Sequence, residues 1–174
     1  MATAAPQSRL SPFLTAPSVA VIGASTHKHK VGYQVLQNLL LNSRRAPVSS
    51  PAAKRRIYPV HPTASHILGL PAVPSITALT EPVQLVIIVT PVGTVLEIVE
   101  AVIDRNKNFK SSQRVQAVLI ISAGFAETDR AGRTLQELVQ LKLELAGIQL
   151  LGPNSLGLVY PSGFLNASFA QADI

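Results

Sequence analysis

Ser18-Val19-Ala20-Val21-Ile22-Gly23-Ala24-Ser25 is the stretch on which the reading of this chain turns. A short apolar run stops at a glycine, and from Val31 onward Tyr33, Leu36, Leu39 and Leu40 recur at helical spacing. A buried strand, a turn of small residues and a helix make one βα unit. Small side chains at such a turn let a ligand approach the backbone. The helix that begins just beyond aims free N–H groups at any phosphate resting there, so a phosphorylated ligand is the expectation.

The pattern recurs along the chain. Leu85-Val86-Ile87-Ile88-Val89 suits a strand buried on both faces, and Thr90-Pro91 then opens a helix carrying Val95, Val99, Val102 and Ile103. After a polar insertion over 106–114, residues 117–121 form a third such strand, followed by Ser122-Ala123-Gly124-Phe125-Ala126-Glu127. Thr128 or Asp129 can cap the next helix, whose Leu135, Leu138, Val139, Lys142 and Leu145 mark one face and which Gly147 ends. Residues 148–151 make the last strand, ahead of Gly152-Pro153-Asn154-Ser155-Leu156-Gly157, which a cis Pro153 would turn into a fixed bend. Residues 56–60 add a strand running into Pro59-Val60-His61-Pro62, where two prolines impose an extended path. Sustained alternation of this kind predicts an α/β fold: a Rossmann-like, doubly wound parallel sheet with right-handed crossovers. The three small-residue segments then share its carboxyl edge, where open α/β sheets bind ligands.

With 174 residues, 47% of them apolar, the chain supports one domain with a substantial core. We expect that domain over 18–160, a disordered leader over 1–17, and over 161–174 a linker or the start of a following, truncated domain. No apolar run approaches the roughly 20 residues of a membrane span. There is no cysteine, hence no disulfide framework and no thiolate metal site. A soluble, cytoplasmic protein is the expectation.

Charge is uneven. Arg9, Lys28, Lys30, Arg44, Arg45, Lys54, Arg55 and Arg56 all precede the first acidic residue, Glu81, so an anionic partner should meet the front half. Pro47, Pro51 and three serines make 43–56 an exposed loop. Nucleic acid is disfavoured because aromatics are 5% of residues and none interleaves with the basic cluster. NAD is disfavoured because the first turn lacks the second glycine of Gly-x-Gly-x-x-Gly and no acid follows the second strand to hold a ribose diol. NADP, whose extra phosphate tolerates basic residues, stays as a minor alternative. His27 and His29 suit no helical metal pair, and Ser25 lacks both the Gly-x-Ser-x-Gly frame and an early Asp for a hydrolase triad, so neither metal site nor hydrolase is expected.

Taken in order, Gly23-Ala24-Ser25 with Lys30-Val31-Gly32, Tyr58-Pro59-Val60-His61-Pro62, Ile88-Val89-Thr90-Pro91, Ser122 to Glu127 and Gly152 to Gly157 resemble the coenzyme A-binding domain that opens the NDP-forming acyl-CoA synthetases, relatives of the succinyl-CoA synthetase α subunit. The resemblance implies coenzyme A or acyl-CoA as ligand. It implies that Gly23, Ala24, Ser25 and Lys30 receive the phosphates and that Val60, His61, Pro62, Thr90 and Pro91 border the nucleotide and pantetheine portions. Ser122, Ala123 and Gly124 complete that cofactor set, and Glu127 and Asn154 stand near the thiol and acyl group. Glu127 is read either as orienting a partner domain's phosphohistidine or as a helix-start cap. Such relatives commonly have Asn-Pro-Lys where this chain has His61-Pro62-Thr63, which leaves Arg55, Arg56 and His61 as the candidates to replace the missing cation. The family's reaction couples an acyl-CoA thioester to a nucleoside diphosphate through acyl phosphate and phosphohistidine. Its phosphohistidine and ATP-grasp domains are expected as downstream partners, domain or subunit. A degenerate module of the same fold with an interaction or regulatory role is the other alternative.

Overall fold

The computed structural model describes residues 8–170. Five parallel strands form the central sheet: β1 (Ser18–Ile22), β2 (Arg56–Val60), β5 (Leu85–Ile88), β6 (Ala117–Ile120) and β7 (Gln149–Leu151). They lie in the order β2-β1-β5-β6-β7. Between β2 and β5 the chain makes a small antiparallel pair, β3 (His66–Ile67) and β4 (Leu70–Pro71), and it closes with the hairpin β8 (Gly157–Tyr160) and β9 (Leu165–Ser168). The helices are α1 (Ser11–Leu14), α2 (Val31–Arg45), α3 (Val95–Asn106) and α4 (Arg130–Leu145).

Period-two alternation in the strands sorts their side chains into two layers. Ala20, Ile22, Val86, Ile88, Val118 and Ile120 face α3 and α4, meeting Val95, Val99, Val139 and Leu143. Val19, Val21, Leu85, Ile87, Ala117 and Leu119 face the other way, against Val35, Leu36 and Leu39 of α2 and Leu165 and Ala167 of β9. Helices thus cover both faces, as the doubly wound expectation required. Gly147 ends α4 with φ +70°.

The edges of the domain differ from expectation. Residues 8–17 are not a disordered leader: Phe13 and Ala16 are buried in the α2 layer, where burying one phenylalanine contributes about 2 kcal/mol, and Arg55 holds the Ala16 carbonyl. Residues 1–7 of that leader lie outside the described residues. Nor do 161–168 belong to a linker or a following domain, since β9 pairs with β8 and Asn38 of α2 donates through Nδ2 to the Ser168 carbonyl at 2.8 Å. On α4 the buried residues are Gly132, Val139 and Leu143, whereas Leu138 and Leu145 face outward. The expected exposed loop over 43–56 begins late, because α2 continues through Arg45. Pro51–Lys54 then folds as a 3-10 turn, opened by Ser50, whose Oγ accepts from the Ala52 amide.

Two arginines, Arg55 half-buried and Arg105 buried, lock the periphery through carbonyls. Arg55 donates to the Ala16 carbonyl (3.2 Å), to Phe164 (3.0 Å) and to Gly163 (3.3 Å). Arg105 donates to the carbonyls of Leu79 and Glu81 and lies over the Phe109 ring, 4.1 Å from its centroid. Desolvation lowers the pKa of both guanidiniums from the ordinary arginine value.

Candidate functional site

The strand order reverses between β1 and β5, because the chain leaves β1 toward β2 on one side and returns to β5 on the other. Loops at their carboxyl ends diverge there and leave a crevice. In this molecule the crevice is a cleft of about 820 Å³. It takes residues from the ends of all five sheet strands: Gly23 after β1, His61 and Pro62 after β2, Thr90 and Pro91 after β5, Ser122 and Ala123 after β6, and Asn154 after β7. The three small-residue bends converge on one rim.

Its floor depends on close backbone approach. Gly23 has φ +88°, its amide donates to the Val60 carbonyl at 3.2 Å, and a Cβ there would stand 2.8 Å from Thr90 Cγ2. Gly32, in the first turn of α2, lies so close that a Cβ would fall 2.0 Å from the Gly23 carbonyl oxygen. Only a glycine lets α2 start against that turn. Lys30 holds the N-cap position with no side-chain cap bond, and the first turn carries no acid. The amides of Val31 and Gly32, which open a 15-residue helix, therefore meet no side-chain cap at the cleft they line, while those of Tyr33 and Gln34 donate to the Lys30 carbonyl. Ser25 adds a hydroxyl whose Oγ accepts from the His27 amide at 3.1 Å, which leaves its proton to donate.

The opposite wall is rigid. Ser122 Oγ donates to the Thr90 carbonyl at 2.6 Å, and the Asn154 amide donates to the Ser122 carbonyl at 2.9 Å, tying the ends of β5, β6 and β7 together. The Gly152–Pro153 peptide is cis, and a Cβ on Gly152 would lie 2.3 Å from the Ile120 carbonyl oxygen. Val89, Ile121, Leu156 and Phe169 supply an apolar strip along the cleft.

Of the residues expected at the site, Gly23, Ala24, Ser25, Lys30, His61, Pro62, Thr90, Pro91, Ser122, Ala123 and Asn154 line this cleft. Three do not. Val60 is buried in the core, because its place in β2 turns it toward α3. Gly124 stands beyond the rim with φ +104°, a Cβ there meeting Val92 at 2.9 Å. Glu127 folds back on its own loop, accepting from the amides of Gly124 (2.5 Å) and Phe125 (3.1 Å), and these bonds, the one from Gly124 foremost, lower its pKa from the ordinary carboxylate value. Its carboxylate braces the loop after β6, while the N-cap of α4 is Asp129, whose side chain accepts from the Gly132 amide. Arg55 is likewise no substitute for a phosphate-binding cation, being spent on carbonyls at the amino end of β2, and Arg56 at that same end pairs with Glu81 at 3.7 Å. His27, Val31, Gly32, Val89, Ile121, Ser155, Leu156 and Phe169 complete the lining without having been expected. Phe169 arrives from the far end of the chain and had no local signal.

Among the lining residues Lys30 is the sole lysine or arginine, and there is no Asp or Glu. Glycines that admit a ligand to the backbone, an uncapped helix start, one lysine and an apolar strip fit a phosphorylated ligand with a long, weakly polar arm. Fold and cleft define a Rossmann-like domain with an open crevice at its topological switch point.

Comparison with known proteins narrows this class. The chain belongs to the CoA binding domain family, whose profile matches residues 17–161. It is 36% identical over 154 residues to the ADP-forming acetate–CoA ligase I of Archaeoglobus fulgidus, an alignment covering 88% of this chain and 20% of that protein. It is 32% identical over 159 residues to the alpha subunit of ADP-forming acetate–CoA ligase II from Pyrococcus furiosus, covering 90% of this chain and 30% of the subunit. Among solved structures, the dinucleotide forming acetyl-coenzyme A synthetase 1 of Ca. Korarchaeum cryptofilum, in complex with phosphate and ADP, superposes with a TM-score of 0.80 at 28% identity, covering 95% of this chain and 32% of that one. The chain thus spans a fifth to a third of these relatives. The match selects coenzyme A over NADP.

Proposed function

We propose that this chain is the coenzyme A-binding module of an ADP-forming acyl-CoA synthetase, and that the cleft at the β1/β5 switch point holds the cofactor. The observation carrying this is the uncapped start of α2 beside Lys30 in a cleft lined by no carboxylate. Coenzyme A brings about four negative charges; a helix start and a lysine neutralise part of that, and an acid in the lining would oppose it. Ser25 and the amides of Val31 and Gly32 receive the phosphates. Thr90, Pro91, Val89 and Ile121 flank the pantetheine arm, and Asn154 with Leu156 stands at the thiol end. When bound, the cofactor supplies the thiol that carries the acyl group; the protein's part is to grip the polyanion and hold the arm along a dry wall.

In this reading the acyl transfer is completed by phosphohistidine and ATP-grasp domains of the same chain or a partner subunit. The absence of a membrane-spanning helix among the described residues, and of cysteine in the chain, suits a cytoplasmic enzyme. Titration calorimetry with coenzyme A, dephospho-CoA, NADH and NADPH tests the assignment. Coenzyme A should bind most tightly among these, and tighter binding of NADPH would overturn it.

A further inference from the structure

His61 stands in the cleft in an unusual way. Its backbone is clamped by the amide donating to the Val73 carbonyl at 2.9 Å, while Val73 in turn donates to Pro59 at 3.1 Å. Its ring is clamped as well: Nδ1 accepts from the amides of Thr63 (3.2 Å) and Ala64 (2.9 Å). Two N–H dipoles converge on that nitrogen, so it carries the lone pair, and the ring proton belongs to Nε2 on the opposite side. Pro62 and Pro91, both lining residues, have no N–H at all, and the cleft's lysine and open helix start stand at residues 30–32.

Resting on the coenzyme A reading above, we infer that His61 is a specificity residue that meets the cofactor as a fixed-tautomer, uncharged donor. Its Nε2–H reads an uncharged acceptor, a ring nitrogen or a sugar or amide oxygen, and the phosphates are left to Lys30 and α2. Recognition is thus divided between a charged wall that holds the anion and a neutral wall that reads the base or sugar. The 3′-phosphate is then no part of what His61 senses.

Two measurements test this. Long-range proton–nitrogen correlation spectra of the free chain should show the His61 ring with the proton on Nε2; a proton on Nδ1 overturns the inference whether or not any ligand binds. In calorimetry, His61→Ala and His61→Phe should weaken coenzyme A and dephospho-CoA by the same factor, about fivefold to tenfold, as expected for one neutral hydrogen bond. His61→Gln, which keeps an N–H, should recover part of the loss. A loss confined to coenzyme A would mean that the residue reads the 3′-phosphate, and unchanged affinity for both would remove it from the site; either result overturns the proposal. Failure of the unaltered chain to bind any coenzyme A form would instead overturn the functional reading, and the tautomer, read without ligand, keeps the two failures apart.

Discussion

The loops after β1 and after β6 are built alike and satisfied differently. Each leaves its strand through a glycine with positive φ, Gly23 or Gly124, and each enters a helix whose first turn holds a glycine pressed against the loop: a Cβ on Gly32 would fall 2.0 Å from the Gly23 carbonyl oxygen, and one on Gly132 would fall 2.1 Å from that of Phe125. The loop after β6 then satisfies its own donors. Asp129 Oδ1 accepts from the Gly132 amide at 2.7 Å, and Glu127 takes the amides of Gly124 and Phe125. The loop after β1 has Lys30 at the capping position and no acid in the helix's first turn. One loop supplies its own anions and the other leaves its helix start without one, so the same backbone device serves architecture after β6 and, in the function proposed above, phosphate binding after β1.

Substitutions at the paired positions can break that comparison. The largest effect belongs to the two glycines: Gly32→Ala and Gly132→Ala should each cost about 3 kcal/mol of stability in denaturant unfolding, since a rigid carbonyl must move aside. They should differ in calorimetry. Gly32→Ala should abolish coenzyme A binding, whereas Gly132→Ala should leave the affinity of the folded fraction unchanged; equal losses would show that the two loops are not functionally distinct. Next, Lys30→Asp converts the first loop into an imitation of the other. It should strengthen the α2 start by about 1 kcal/mol while weakening coenzyme A roughly a hundredfold, so thermal stability and affinity move in opposite directions. The converse change, Asp129→Ala, should cost about 1 kcal/mol with coenzyme A affinity retained.

The smallest effect is that of Glu127. Backbone hydrogen bonds lower its folded pKa below the reference of 4.5, so its contribution is fully present above that value and disappears as pH falls through the lower folded value. Glu127→Gln should flatten the acid limb of the stability curve below about pH 4.5 and leave the neutral region nearly unchanged, which acid-titrated unfolding would register.

Much of the sheet was legible in the sequence because a fully buried parallel strand leaves a plain mark: a short apolar run ending in glycine, proline or serine. The helices were legible by spacing, but the face of α4 was not, since its leucines outnumber the positions the core can take. Leu138 and Leu145 remain outside while Val139 and Leu143 go in. The four-residue α1 is too short for any periodicity, so Phe13 gave no signal that it was an anchor. Charge misled for a related reason. Composition records that eight cations precede Glu81 but not at which end of a strand each emerges; Lys30 reaches the cleft, whereas Arg55 and Arg56 emerge a strand's length away, roughly 13 Å. Glu127 was ambiguous because a carboxylate three residues after a glycine reads the same whether it faces a ligand or its own backbone.

Arg55 joins segments that are remote in the chain, since one guanidinium holds Ala16 together with Gly163 and Phe164. These contacts couple the outer layers into a cooperative unit: amide protons of the α1 segment and of the β8–β9 hairpin should exchange with solvent at a common opening free energy, and Arg55→Ala should release both together. Because the hairpin runs on to Phe169 on the cleft wall, loosening at the far pole of the sheet would reach the cleft through β9 and through α2, whose Asn38 holds the Ser168 carbonyl.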